Sequence, residues 1–157
     1  MPKEKDISVV YDQHRLVVRF PSLVDHINRV EDETRQFLEK NGLSGEFFPV
    51  CLVMRESLLN AVKHGNRLDP RKTVTYTLTL ADDMLTIEVE DQGEGFDWRS
   101  IPLTPPSQEA ENGRGIFIMR RYFPKLTYNG KGNKLTMARS RRVEDVMVRK
   151  KTGAGKR

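Results

Sequence analysis

Residues 73–96 read TVTYTLTLADDMLTIEVEDQGEGF, and this stretch decides the fold. Threonine alternates with apolar residues in its first half, and apolar residues alternate with polar ones again after Asp82-Asp83. A period of two with many β-forming residues is typical of strands that bury one face. The stretch therefore predicts two antiparallel strands joined by a tight turn, with Gly93 and Gly95 beyond the second strand.

The alternation also predicts where one acidic side chain points. Leu85, Ile87 and Val89 share the inward face of the second strand, and Asp91 is the next residue with the same parity. A carboxylate is costly to bury unless it accepts hydrogen bonds. Asp91 could therefore cap the turn at Gly93, or it could lie at the floor of a pocket and bind a ligand amino group such as the 6-amino group of adenine.

Upstream of this hairpin, apolar residues recur at helical spacing in two segments. The first helix is predicted over residues 23–38, where Ser22 and Asp25 form a cap-like pair at its start. The second is predicted over residues 47–65 and ends at a glycine. A short strand-like run, residues 16–20, precedes both helices.

Downstream, residues 92–114 read as one long loop, and a short helix is predicted over residues 115–123. A closing hairpin follows around the turn at residues 129–133. The order β-α-α-β-β-loop-α-β-β predicts an α+β fold, a two-layer sandwich of a mixed, mainly antiparallel sheet with helices on one face. The absence of alternating βαβ units argues against a doubly wound fold.

The charge distribution divides the chain. Of the 157 residues, 27 are basic and 22 are acidic, which gives a net charge of +5. Residues 1–139 hold 20 of each sign, so the whole excess lies in residues 140–157. We therefore expect an N-terminal extension at residues 1–12, one domain at 13–139, and a basic, flexible tail at 140–157 rather than a face that binds nucleic acid.

The remaining composition predicts a cytoplasmic protein with no membrane partner. The single cysteine, Cys51, cannot form an internal disulfide, and it lies in an apolar run, where a buried free thiol is ordinary. No run reaches the roughly 18 to 20 apolar residues that span a bilayer, and the start lacks a signal-peptide core. Cys51 and the three histidines lack metal-ligand spacing, and residues 151–156 lack the glycine spacing of a phosphate loop.

Polar residues on the second helix form the first candidate site. Glu56, Asn60 and His64 are four residues apart, so they share one strip of the helix surface. The strip could be an ordinary solvated face, but the neighbours of Asn60 are apolar, and a buried amide needs partners. An amide oxygen is also a suitable ligand for Mg²⁺ in company with waters and substrate phosphates.

Two pairs of glycines form the second candidate site. Gly93-x-Gly95 follows a strand, and Gly113-Arg114-Gly115 stands directly before the predicted helix. Glycine permits positive φ angles and close approach of a ligand, and the free N–H groups at a helix start bind anions. A plain turn explains either pair equally well when the pair is taken alone.

In combination, the motifs resemble those of one superfamily. They are Glu56-x-x-x-Asn60 on a helix, Asp91-x-Gly93-x-Gly95 after a strand, and Gly113-x-Gly115 before a helix. Their order is similar to that of the N box, the DxGxG box and the later glycine-rich box of the GHKL superfamily of ATPases and kinases. This short form, with a resemblance over about residues 13–139, looks most like the bacterial anti-sigma factor serine/threonine kinases, which share the Bergerat ATP-binding fold.

The resemblance implies a role for each motif residue. Glu56 would be the carboxylate that acts as general base or orients the attacking hydroxyl, Asn60 would hold Mg²⁺, and Asp91 would bind adenine. The other residues implied in nucleotide binding are Gly93, Gly95, Gly113, Arg114, Gly115 and Thr136. Many family members carry a Gly-Thr pair near the last strand, whereas Gly132-Asn133 stands here and Thr136 is the nearest threonine. Residues 97–112 would form a mobile lid over the ATP.

The resemblance also implies an activity and partners. The chain would be an ATP-dependent serine/threonine kinase that uses Mg²⁺, phosphorylates an anti-anti-sigma protein of the STAS type, holds a sigma factor inactive and forms a homodimer. One alternative is a nucleotide-gated binding module without catalysis, although Glu56 favours a catalyst. Another is the catalytic domain of a histidine kinase, whose phospho-accepting helix would have to precede residue 15, where His14 lies beside a strand-like run.

Overall fold

The computed structural model describes residues 6–96 and 111–140, with side chains for all of these except 111–114. The strands of this part are Ser8–Tyr11 (β1), Arg15–Pro21 (β2), Thr73–Ala81 (β3), Met84–Glu90 (β4), Lys125–Tyr128 (β5) and Lys134–Ser140 (β6). Its α-helices are Ile27–Lys40 (α1), Phe47–Asn60 (α2) and Glu111–Tyr122 (α3). The predicted α+β class is therefore confirmed.

The six strands form one sheet in the order β1-β2-β3-β4-β6-β5. Every neighbouring pair is antiparallel, so the sheet has no parallel pair among the described strands, in contrast to the mixed sheet that we predicted. The register aligns one buried row across the four central strands, formed by Leu16, Leu78, Ile87 and Met137. This row belongs to the face that packs against the helices.

The helices cover only that inner face. Met54 of α2 and Met119 of α3 are fully buried in the same apolar cluster as the inner strand residues. Thr34 of α1 donates a hydrogen bond to the buried hydroxyl of Tyr76 on β3, at 3.0 Å. The two-layer arrangement follows from the alternation of the strands, because the buried apolar side chains of the sheet lie mainly on the face that the helices cover.

The first strand lies in a segment that we predicted as an extension. β1 pairs with β2, and Val9 lies opposite Val18 on the inner face. The run of β-forming residues at positions 9–11 was the available signal. The proposed boundary between residues 12 and 13 stays a prediction, but the sheet includes residues on both sides of it.

The predicted cap at the start of the first helix is wrong. A 3-10 turn, Val24–His26, leads into α1, and no side chain caps it. Ser22 is buried instead, where its hydroxyl donates to the carbonyl oxygen of Lys72 at 2.8 Å and accepts from the amide of Asn66 at 2.7 Å. The hydroxyl therefore joins segments that are distant in the sequence.

The third helix begins earlier than predicted. α3 begins at Glu111, so Gly113, Arg114 and Gly115 lie inside its first turns rather than before them. Packing of Ile116 and Met119 into the core offsets the low helix propensity of the glycines. The predicted lid falls outside the described residues as far as residue 110, and so does the tail from residue 141.

The helices of the described part include none with the length and apolar character of a membrane span.

Cys51 is half-buried rather than fully buried, and its thiol donates to Glu31 Oε1 at 2.8 Å. Burial, and then the bond to Glu31, raises the pKa of Cys51 to about 12.

Candidate functional site

A cavity of about 230 Å³ lies where the C-terminal part of α2, the start of α3 and the ends of β4 and β6 meet. Val89, Ile116 and Leu135 form its apolar walls. Its polar lining includes Asn60 of α2 and Asp91, the first residue after β4. The motifs that are spread over more than fifty residues of sequence therefore meet at one place.

Asp91 lies at the cavity as the strand parity predicted. One carboxylate oxygen, Oδ1, accepts a hydrogen bond from the N–H of Gly93 at 2.8 Å, so the residue both caps its turn and faces the cavity. Burial raises the pKa of Asp91, and the charge of Glu90 adds to this, whereas the Gly93 hydrogen bond and nearby lysines oppose it. A half-buried acceptor of this kind suits a ligand that donates a hydrogen bond.

Two glycines leave no room for a side chain around this carboxylate. A Cβ on Gly65 would collide with the carboxylate of Asp91, and a Cβ on Gly93 would collide with the carbonyl oxygen of Gly65. Gly65 ends a π-helical turn, Ala61–Gly65, that continues α2. We had read Gly65 only as a helix stop, because a single sequence does not reveal what a C-terminal glycine touches.

A second pair of glycines joins the loop after β4 to the turn between β5 and β6. Gly95 and Gly132 have φ angles of 85° and 86°, where a side chain is strained. A Cβ on Gly95 would meet the Lys131 carbonyl oxygen, and one on Gly132 would meet the Phe96 backbone. The two loops therefore contact each other closely at the rim of the cavity.

Two aromatic residues at this rim were not predicted. Phe96 and Tyr128 both line the cavity, and their rings meet edge to face with centroids 4.9 Å apart. Burial raises the pKa of Tyr128 to about 12, so its hydroxyl stays protonated at neutral pH. The aromatic side chains at positions 96 and 128 were visible in the sequence, but their proximity depends on the contact between the two loops.

Glu56 and Asn60 face the third helix. A Cβ on Gly115 would lie 3.5 Å from Glu56 Oε2 and 3.6 Å from Asn60 Nδ2, so α3 approaches both side chains closely. Both residues are half-buried, and neither side chain has a hydrogen-bond partner within the described ranges. Among the described residues, the hydrogen-bonding capacity of this carboxylate and this amide is therefore unused.

The other predicted site residues lie in different settings. His64 is exposed and lines the cavity. The backbone of Gly113 and Arg114 is helical, and the side chain of Arg114 lies outside the described part. The prediction that Thr136 belongs to the nucleotide site is wrong, because its pairing with Glu88 places it on the outer face of the sheet. Leu135 is the residue of β6 that lines the cavity.

The donor groups suit Mg²⁺ only in company with a substrate. Within residues 6–96 and 111–140 there is no cluster of three His, Cys, Asp or Glu side chains that could hold a metal by itself. Asn60 offers one amide oxygen, with the Glu56 carboxylate one turn away. Mg²⁺ usually keeps several water ligands and binds substrate phosphates, so one or two protein ligands are sufficient to complete its coordination.

Comparisons with known proteins agree with this geometry. The chain matches the model of the family described as histidine kinase-like ATPase domain over residues 20–139. Proteins named anti-sigma F factor from Clostridium perfringens (strain SM101 / Type A) and Geobacillus thermodenitrificans (strain NG80-2) are each 28% identical to it over 95 residues. These matches cover 58% of this chain and 68% and 65% of the two relatives. Because the family model matches residues 20–139, which are more than half of the chain and include every motif at the cavity, the chain belongs to the histidine kinase-like ATPase family, as a GHKL-type, anti-sigma factor kinase-like domain.

Proposed function

We propose that this chain is an ATP-dependent serine/threonine protein kinase and an anti-sigma regulatory factor. The observation that carries the proposal is the convergence of Glu56 and Asn60 with Gly115 beside the cavity that Asp91 faces. The two relatives are named anti-sigma F factor, which supports the regulatory part of the proposal. By resemblance, the substrate is an anti-anti-sigma protein of the STAS type, and the second partner is a sigma factor.

In this proposal Asp91 recognises the base of ATP. Its carboxylate accepts a hydrogen bond from the 6-amino group of adenine, and the apolar side chains Val89 and Leu135 contact the ring system. Hydrogen bonds to a charged acceptor are stronger than those between neutral groups, so Asp91 would provide most of the selectivity for adenine.

Glu56 and Asn60 act at the other end of the nucleotide. Asn60 would hold Mg²⁺, which neutralises phosphate charge when bound. Glu56 lies one helical turn before Asn60 and would orient the serine hydroxyl of the partner and accept its proton. Phosphoryl transfer depends mainly on such positioning and electrostatics, so a small number of well-placed groups is sufficient.

The location and assembly belong to the same proposal. We place the protein in the cytoplasm, where Cys51 would stay reduced, and we expect a homodimer by resemblance. We propose no membrane or nucleic-acid partner, since the charge of the body of the chain is balanced.

A pull-down followed by a transfer assay tests the proposal. The full chain is used as bait with and without ATP, the recovered proteins are identified, and each candidate is incubated with the chain, labelled ATP and Mg²⁺. Label on a serine of a recovered STAS-type protein supports the kinase. A chain that binds ATP and recovers its partners in an ATP-dependent manner, but transfers no label, is the non-catalytic binding module instead.

A further inference from the structure

We propose that Asn66 is a positioning residue for base recognition, because it holds Asp91 against Gly65 at the floor of the cavity. The inference rests on the proposed ATP site and adds a determinant of its selectivity. Asn66 does not line the cavity, so it would act through Asp91 rather than touch the nucleotide.

Asn66 is fully buried, and its side-chain amide bridges three segments. Its Nδ2 donates to Ser22 Oγ, just after β2, at 2.7 Å and to the carbonyl oxygen of Thr73, at the start of β3, at 2.9 Å. Its Oδ1 accepts from the backbone N–H of Gln92 at 2.7 Å. One side chain therefore ties together the ends of three strands behind the cavity.

The partners define which atom of the amide faces which segment. The Thr73 carbonyl can only accept a hydrogen bond, and the Gln92 N–H can only donate one, so the amide of Asn66 cannot be reversed. Aspartate at this position would keep the acceptor for Gln92 but would place an oxygen against the Thr73 carbonyl. Alanine would leave both backbone groups, which are partly buried, without their present partner.

The network is coupled directly to Asp91 through neighbouring residues. Asn66 follows Gly65 and Gln92 follows Asp91, so the bond from Gln92 to Asn66 joins the residues next to the Gly65–Asp91 contact. The Gln92 side chain closes the ring, because its Oε1 accepts from the Thr73 N–H at 2.7 Å. Loss of the Asn66 amide would therefore release the segment that orients the Asp91 carboxylate.

The π-helical turn links the same residue to the helix of the site. The N–H of Asn66 donates to the carbonyl oxygen of Ala61 at 2.8 Å, the hydrogen bond of a π turn. Ala61 directly follows Asn60, the proposed ligand of Mg²⁺. Asn66 therefore ties Asp91 to the end of α2 that carries Asn60, and so relates the base end of the site to the phosphate end.

The test compares ATP with purine riboside 5′-triphosphate, which lacks the 6-amino group, by titration calorimetry on the full chain. In the wild-type chain we expect ATP to bind at least about tenfold more tightly than the analogue, because such a ratio corresponds to the free energy of one hydrogen bond to a charged acceptor. In Asn66→Asp and Asn66→Ala this preference should fall by about tenfold, while the affinity for the analogue changes little. Asn41→Ala is the control, since the Asn41 amide bonds only to the backbone of α1.

The outcomes separate a positioning role from a general loss of stability. Equal weakening of both nucleotides, or an unchanged preference, in folded Asn66 variants would overturn the inference. Should those variants not fold, Ser22→Ala removes a single partner of Asn66, and a reduced preference supports the inference whereas an unchanged one overturns it. A wild-type chain that binds neither nucleotide overturns the proposed function itself, which is a different result.

Discussion

The two sides of helix α2 differ in whether their polar side chains have partners within the described part of the protein. On the side of α1, Arg55 Nη1 lies 3.2 Å from Glu31 Oε1, and the thiol of Cys51 donates to the same oxygen. On the side of α3, Glu56 and Asn60 have no hydrogen-bond partner among the described residues. The α1 side is therefore paired within the protein, whereas the Glu56 and Asn60 side chains on the α3 side have no such pairing in the described part of the chain.

The pKa values on the α1 side show how complete this internal pairing is. The hydrogen bond from Cys51 and the charges of Arg55 and Arg35 lower the pKa of Glu31, although burial opposes them. Burial, and then the hydrogen bond to Glu31, raises the pKa of Cys51 to about 12, so the thiol stays protonated at neutral pH. The thiolate, which is the reactive form of cysteine, is therefore disfavoured at this position.

The largest expected effect comes from Glu56→Gln on the α3 side. If Glu56 positions and deprotonates the serine hydroxyl, phosphoryl transfer to the partner should fall by about 10²- to 10⁴-fold. ATP affinity should change little, because the change affects the transfer step rather than binding. Single-turnover transfer and calorimetry measure the two quantities.

The neighbouring residue provides the control for this variant. Arg55→Gln removes a charge from the α1 side of the same helix turn and should leave the rate of transfer unchanged. Comparable losses of transfer in Arg55→Gln and Glu56→Gln would contradict the division between the two sides.

The next effect is that of Asp91→Asn, in the cavity that Asn60 also lines. The amide keeps an acceptor for the Gly93 N–H but presents a neutral group to the base, so ATP affinity should fall by about tenfold or more. The free energy of unfolding at pH 7 should not fall, because burial already disfavours the charged carboxylate. A large loss of stability at pH 7 would show that Asp91 has a structural role instead.

The pH dependence of stability has a definite sign at Asp91. Its pKa is raised in the folded state, so folding favours the protonated form, and the associated stability is present below the unfolded pKa of about 3.9. This contribution is lost as the pH rises through the folded pKa. In urea denaturation between pH 3 and pH 7, the stability of the wild-type chain relative to Asp91→Asn should therefore decline as the pH rises.

A smaller effect is expected from Gly115→Ala, where α3 approaches Glu56 and Asn60. The added methyl group fits at ordinary contact distance, and alanine favours a helix over glycine by about 0.5–1 kcal/mol. The protein should therefore unfold at a higher temperature but bind Mg-ATP more weakly, because the methyl group occupies space beside both side chains.

Gly45→Ala, where a Cβ meets nothing within 4 Å, should leave the affinity unchanged. Unchanged affinity in both variants would argue against a ligand at this contact.

The smallest effect belongs to Glu31→Gln on the α1 side. The ion pair with Arg55 is partly exposed, so its loss should cost less than about 1 kcal/mol. Because the pKa of Glu31 is lowered, its contribution is present above the unfolded pKa and is lost as the pH falls through the folded one. Urea denaturation should show a smaller difference at pH 3 than at pH 7, and a reduced transfer rate would contradict the assignment.

Much of the fold could be predicted because periodicity reports burial directly. Alternation identified β3 and β4 and the direction of Asp91, and helical spacing identified α2 with Glu56 and Asn60. The predicted roles of these residues remain for the experiments above.

Three predictions were incorrect because the position of each residue depends on the tertiary structure. Ser22 was predicted to cap α1 but bonds to Lys72 and Asn66, and Thr136 was assigned to the site but faces away from it. The start of α3 was predicted four residues late, because the glycines read as a loop. The errors at Ser22 and at the start of α3 came from local rules that long-range packing overrode, whereas Thr136 was implied by the family resemblance and its position follows from the register of β6.

The sequence by itself determined the class of fold, the apolar faces of the strands and helices, and the polar residues that could bind a nucleotide. These features depend on the order and type of side chains. Only the tertiary structure decided that Gly65 and Gly93 enclose Asp91, that Gly115 approaches Glu56, and that Asn66 bridges three segments. The physical reason is that a glycine or an amide acquires its role from what the fold places against it. Such contacts join residues up to fifty-nine positions apart, and no local pattern records them.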